Sequence, residues 1–416
     1  MNDRREFLKL CSVGLVSATA GSLSRTSRGE KDYLSEIKRV PIDATDGDEI
    51  SGIVQSVANR EILKFPAGTF RWSSEASVLV DDWGIQCQED TIFEVPAGFG
   101  EDEQGTLLRT ATGNRVADNY FLQNLTFDSP GRAAPQLTLG ARNSATIDGL
   151  HYRMNGPLSG GSQGNGISVA VSNPGGSFRI NDYWQFNNGD IGRYGSGTRI
   201  GIFVRPPHDG TIRLTNPILQ GFPNNACYVS RHGGRVIIEN GLLMNNNVSA
   251  VRVSGGVEVY DTTVVIDTDT YVQGEGQLTD GAHNTRGFWG DGDHPAAAPG
   301  GLVSGCSVIL DSYERCTGLV NNRFENRSLN VKDTQFLANA DIDGTFQIGN
   351  STVECSNCRF DGTSERTTLG RAESGIIVGR ENTSNPRFDP GVMPIKSYRN
   401  YDFDWNRTHP VTPRIE

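Results

Sequence analysis

Arg205, Asp209, Arg231 and His232, with Arg252 beyond them, have the residue types that a proton abstraction beside a carboxylate needs. A guanidinium neutralises the substrate carboxylate, and an imidazole or a second arginine takes the neighbouring proton. Each arginine stands in or just after a short β-branched or aromatic run: Ile202-Phe203-Val204, Cys227-Tyr228-Val229 and Val251-Arg252-Val253. If those runs stack, Arg205 and Arg231 come within one or two rungs, about 5 to 10 Å. Adjacent cations are costly unless an anion lies between them, and Asp209, Asp261 or a bound uronate or sulfate would serve. The same residues also read as a solvated Arg–Asp surface network.

A second group lies in the long stretch from Asp267 to Gly301. Tyr271, Trp289 and His294 are the rings that a sugar-binding wall uses, and Asp291-Gly292-Asp293 offers carboxylate oxygens to calcium. No complete calcium-loop pattern is present, so a solvated acidic loop, with Trp289 in the core, stands beside that reading. Gly160-Gly161-Ser162-Gln163-Gly164 spells a nucleophile elbow but lacks the strand-turn-helix setting, and reads as a loop. No dinucleotide fingerprint, phosphate-binding loop or zinc-protease pattern occurs.

The elements that must position these groups are announced by a recurring tripeptide: an apolar residue, any residue, then Asn or Asp. It appears at Leu122-Gln123-Asn124, Ile180-Asn181-Asp182, Leu214-Thr215-Asn216, Ile238-Glu239-Asn240, Val259-Tyr260-Asp261, Val331-Lys332-Asp333 and Cys355-Ser356-Asn357. Spacings of 24 residues from Asn216 to Asn240 and 21 from Asn240 to Asp261 are single coils of a stacked repeat. Gly305-Cys306 and Val320-Asn321-Asn322 fill the wider interval from Asp261 to Asp333. A second series keeps step: Ile167-Ser168-Val169, the three runs above, Phe288-Trp289, Phe346-Gln347-Ile348 and Ile376-Ile377-Val378. Alternation over three to five residues indicates strands, and Gly, Asn, Asp and Pro punctuate between them. Each coil therefore carries at least two short strands, stacked in parallel, with an inward Asn ladder at one turn.

Asp3-Arg4-Arg5-Glu6-Phe7-Leu8-Lys9, an apolar run from Leu10 to Ala20 and the small residues Ala18-Thr19-Ala20 resemble a twin-arginine export signal. Residues 1–20 are read as that signal and 21–42 as a linker. No other segment is apolar enough to span a bilayer, which implies a secreted or cell-surface protein with no membrane span after processing. Six cysteines then remain; Cys355-Ser356-Asn357-Cys358 has metal or redox spacing, but with no second such motif it reads as packing.

The formal charge is -11, and of 38 basic residues six are Lys. Excess acid with scarce Lys suits a salt-rich medium and leaves no basic groove for nucleic acid. Asn124, Asn247, Asn326, Asn350, Asn382 and Asn406 head Asn-x-Ser/Thr sequons. Taken with the export signal, this resembles exported haloarchaeal proteins.

Near the amino end, Asp46-Gly47-Asp48-Glu49 precedes Ile50, Ile53, Val54 and Val57, which share one face of a helix of two to three turns. Ile62-Leu63-Lys64-Phe65-Pro66-Ala67-Gly68-Thr69-Phe70 follows. These thirty or so residues resemble the opening of pectate-lyase-like right-handed parallel β-helix proteins. The resemblance implies an all-β solenoid over 43–385 with a short N-terminal capping helix, and leaves 386–416 as a carboxyl-terminal capping tail. It also implies a polysaccharide or cell-surface glycan as partner, calcium as a possible cofactor, and a site on the outer face of one sheet. Because this fold hosts lyases, hydrolases and adhesins alike, two functions are expected: a lyase or hydrolase of acidic glycans, or a non-catalytic glycan-binding surface protein. The Asn-Thr-Asp and Arg-Ile-Lys motifs of the polygalacturonase branch are absent, leaving only His232-Gly233.

Overall fold

At all seven Asn and Asp positions of the repeating tripeptide the backbone is left-handed, with φ between 46° and 56°. Side chains with a Cβ rarely adopt this region, but Asn and Asp tolerate it because a short polar side chain bonds locally. Gly149 and Gly305 take the same step, at φ 78° and 67°, in coils that have no Asn or Asp there. The recurring residue type thus follows from a bend that separates two strands of one coil, as between Thr211–Thr215 and Ile218–Gln220, or Arg235–Glu239 and Leu242–Met244.

The structure, a computed structural model, describes residues 38–100, 105–130, 133–155, 164–186, 199–270, 284–291, 297–322, 328–342, 345–348, 351–362, 371–372, 376–380 and 383–384. The export signal at 1–20 and the tail at 386–416 lie outside them. Each coil contributes a first strand, the left-handed bend, a second strand, and after a further turn a third strand. First and second strands pair in parallel with their counterparts in a 22-strand sheet, while third strands form an 11-strand sheet in unbroken chain order. This is an all-β parallel solenoid. Pairing begins ahead of the expected start at residue 43, since Lys38–Pro41 already pairs with Glu61–Phe65.

The Asn ladder faces outward, contrary to the expected inward one: Asn216, Asn240, Asp261, Asp333 and Asn357 are exposed. Asn216 Nδ2 donates to Asp182 Oδ1 at 3.0 Å, and Asn357 Nδ2 to Asp333 Oδ1 at 2.6 Å. The interior is filled instead by the alternate strand residues, such as Ile212, Leu214, Val236, Ile238, Val257 and Val259. The amino-terminal coils are aromatic, with Phe93 edge-on to Phe65 at 5.4 Å and to Trp72 at 5.3 Å. Each fully buried side chain of this size contributes about 1.5–3 kcal/mol.

The residue after the bend has its own rule. Thr262 and Thr334 donate their hydroxyls to the carbonyl two residues back, at 2.9 and 2.7 Å. Cys306 and Cys358 do the same through Sγ, at 3.4 and 3.5 Å. The Cys355-x-x-Cys358 spacing is therefore a strand residue followed by a bend residue, and both side chains are buried.

Three expectations change in register or size. Ile376–Arg380 pairs with Thr352–Ser356 and so belongs to the first strands, not to the third-strand series. The helix spans only Ser51–Gln55, shorter than expected, although Ile50, Val54 and Val57 are buried and Ile53 packs beside them. Asn247 is buried, donates to the Pro223 carbonyl and accepts from the Asn284 amide, so the folded chain does not offer it for glycosylation.

Candidate binding face

On the third-strand sheet the register sets Ser168 beside Phe203, then Tyr228, Arg252, Trp289, Asn321 and Gln347 in one line. Their strand neighbours Ile202, Cys227, Val251, Phe288 and Val320 belong to the core. Alternation therefore puts the line on the outer face. In its middle, cations and rings alternate. Arg231 lies 4.8 Å from the centroid of Tyr228, and Arg252 lies 4.2 Å from Tyr228 and 4.1 Å from Trp289. Arg286 covers Trp289 from 4.6 Å, and Phe203 meets Tyr228 edge-on at 5.6 Å. Each such cation–ring approach contributes about 0.5–2 kcal/mol, more as water is excluded.

The anion that the arginines need is Asp291, not Asp209 or Asp261. Its Oδ2 accepts from Ser230 Oγ at 2.5 Å and lies 3.3 Å from Arg252 Nη1 and 3.5 Å from Arg231 Nε. Asp291 is 2% exposed and Arg252 5%, so this is an enclosed ion pair, with Arg231 at its half-open edge. Arg252 Nη1 also donates to the Tyr228 hydroxyl at 2.8 Å. A carboxylate set against two guanidinium groups is not an open oxygen cage, so the residues around Asp291 do not fit calcium. Among the described residues no cluster of three His, Cys, Asp or Glu is placed to hold a metal ion. Asp293, Tyr271 and His294 lie outside the described residues.

The other expected site residues part company. Arg205 follows the strand Ile200–Val204. The position that a Cβ on Gly140 would take is 3.2 Å from its Nη2, while Arg231 turns to Tyr228 and Asp291. The three arginines therefore split into a pair and a single. Asp209 is exposed on the turn that follows, and Asp261 is an exposed bend residue.

His232 is 1% exposed and packs edge-on to His208, ring centroids 4.8 Å apart, at the corner after the third strand. His208 Nδ1 accepts from the Val171 amide at 3.2 Å, which leaves its Nε2–H to donate to the Arg235 carbonyl at 3.2 Å. His232 Nε2 is in turn hydrogen-bonded to the Val229 carbonyl. Burial, then the neighbouring His208, pushes the His232 imidazole down to about 4, and burial lowers His208 as well. Both rings are neutral corner pieces near pH 7, with both nitrogens of His208 and Nε2 of His232 engaged by backbone.

Sequence reading passed over two contributors. Tyr228, the ring between Arg231 and Arg252, stood in the strand series without a role. The hairpin of Ala111–Thr112 and Arg115–Val116 went unread, although Gly113-Asn114 between two short runs is a hairpin signal.

No known protein family matches the chain, and no curated protein does. Among solved structures, ORF18 of Geobacillus virus E2 is similar at a TM-score of 0.46, with 12% identity over 87% of this chain. The match spans 64% of the viral chain's length. The A-module of mannuronan C-5 epimerase AlgE6 from Azotobacter vinelandii is similar at 0.34, with 14% identity over 83% of this chain and 97% of its own. Likeness at these scores says nothing of this chain's ligand. No helix among the described residues is long and apolar enough to cross a membrane.

Proposed function

We propose that this is an exported glycan-binding β-helix protein that holds an acidic polysaccharide along the outer face of the third-strand sheet. One observation carries the reading: the alternation of Arg231, Tyr228, Arg252, Trp289 and Arg286, with Asp291 as the carboxylate of the two central cations. On a chain of net charge -11 such a cationic and aromatic strip is out of keeping with the rest of the composition. Rings offer flat apolar surface to sugar faces, and the half-open Arg231 offers its fork to carboxylate or sulfate. Binding is favoured over catalysis because Asp291 accepts from Ser230 and Arg252 with Arg231 as a further cation beside it, and His232 is enclosed, so neither of these two described groups stands open as an acid or base beside this row.

The test is affinity of the purified protein for polygalacturonate, a sulfated glycan and neutral dextran, with Trp289→Ala and Arg231→Ala alongside. Each variant is expected to lose about tenfold in affinity for the acidic polymers, close to 1.4 kcal/mol. Unchanged binding in both would sink the reading. Absorbance of unsaturated uronates, followed with and without calcium, distinguishes a lyase from a binder. Export through the twin-arginine route belongs to the same proposal, and Arg4→Lys with Arg5→Lys should hold the protein inside the cell. The short helix Ser51–Gln55 is read as closing the amino end of the solenoid.

A further inference from the structure

The hairpin Ala111–Thr112 and Arg115–Val116 is the antiparallel exception in an otherwise parallel set of described strands. It forms one wall of a 160 Å³ cleft, whose other lining comes from Gly140, Ala141, Ala170, Ser172, Arg205, Pro206 and Pro207. Two features of this cleft point to a ligand.

The first is its cation. Arg109, Arg142, Arg213, Arg231, Arg235 and Arg252 each sit within 4 Å of a carboxylate. Arg205 has no carboxylate partner among the described residues, and its Nε is enclosed with no hydrogen-bond partner. Arg109, the cation that weighs on it, is already held by Glu75 at 2.6 and 2.9 Å. A partly buried guanidinium without a counter-ion is costly unless an anion completes it. The second is the space. A Cβ on Gly140 would lie 2.6 Å from Ala111 Cβ and 3.2 Å from Arg205 Nη2, so the missing side chain keeps the guanidinium open to the cleft. Alanines, prolines and Val116 make the remaining lining apolar, relieved by Thr112 and Ser172.

We propose that this cleft binds a small carboxylate, its charge on Arg205 and its apolar body against Val116, Ala170 and the two prolines. The ligand is a free hydroxy acid or a single acidic sugar, or the same group at the end of a glycan. The proposal does not rest on polymer binding at Trp289.

The full chain is titrated calorimetrically with lactate, glucuronate, glucose and inorganic sulfate. Lactate or glucuronate should bind saturably and glucose should not. Arg205→Gln should weaken the acid at least tenfold with an unchanged thermal midpoint, and Arg205→Lys should recover part of the loss. Ala170→Val, which narrows the cleft and keeps the charge, should weaken the organic acids while leaving any sulfate binding in place. Equal binding by Arg205→Gln, absence of saturable binding in the parent protein, or indifference of the organic acids to Ala170→Val would each overturn the proposal. Trp289→Ala should retain lactate or glucuronate binding, so failure of the polymer reading and failure of this one are told apart.

Discussion

Arg252 and Arg205 belong to third strands, or their ends, on the same face of the solenoid, and they meet opposite surroundings. Arg252 lies between Tyr228 and Trp289, with Asp291 at 3.3 Å and 5% of its surface exposed. Among the described residues Arg205 has neither ring stacking nor a carboxylate, and it opens on a cleft of small side chains. The difference separates a cation that holds the face together from one left for something outside the chain. Burial with a partner marks structure; partial burial without one marks a vacancy for an anion.

The contrast breaks most sharply at Asp291. Asp291→Asn leaves Arg252 enclosed without its carboxylate, and should destabilise the protein by about 3–5 kcal/mol. A shift in the denaturant midpoint measures this, and a loss under about 1 kcal/mol would show that Arg252 is as unpaired in effect as Arg205. Arg205→Gln removes a charge that no described carboxylate answers.

The corner histidines give the next effect. His232 titrates at about 4 in the folded protein against 6.5 ordinarily, so the unfolded chain takes up the proton first as pH falls. Its contribution is complete above pH 6.5 and is lost as pH drops through the interval down to about 4. The slope is about 1.4 kcal/mol per pH unit at most. Urea unfolding at pH 7 and pH 5 should show the loss in the parent protein, and His232→Asn should flatten it; equal slopes would refute the assignment.

At the bends, Asn240→Ala should cost about 1 kcal/mol because a Cβ without a polar tip is strained at φ 56°, whereas Asn240→Gly should be near neutral. A similar loss for both would mean that the side-chain ladder, rather than the backbone, fixes the residue type. Smallest of all, Arg205→Gln should change stability by no more than about 0.5 kcal/mol. A larger loss would make Arg205 a scaffold residue like Arg252.

The sequence by itself determined the coil. Which residues bend left-handed depends on their own side chain, and which strand residues face inward depends on alternation with a period of two; both are local, so Asn216, Asn240 and Asp261 on one side and Ile202, Cys227 and Val251 on the other could be read directly. The inward ladder does not follow from the same local rule, since these left-handed residues at the bends are exposed to water. What only the tertiary structure decided was the partnership of charges. Asp291 stands 60 residues after Arg231, across an excursion whose length no repeat fixes, so its pairing with Arg231 and Arg252 depends on how many rungs that excursion spans. Likewise Arg205 has no carboxylate partner among the described residues because its cleft is walled by a hairpin three coils earlier in the stack, beside a glycine whose missing Cβ leaves the space. Local rules place each residue on a face, and the count of rungs between loops selects which residues meet on it.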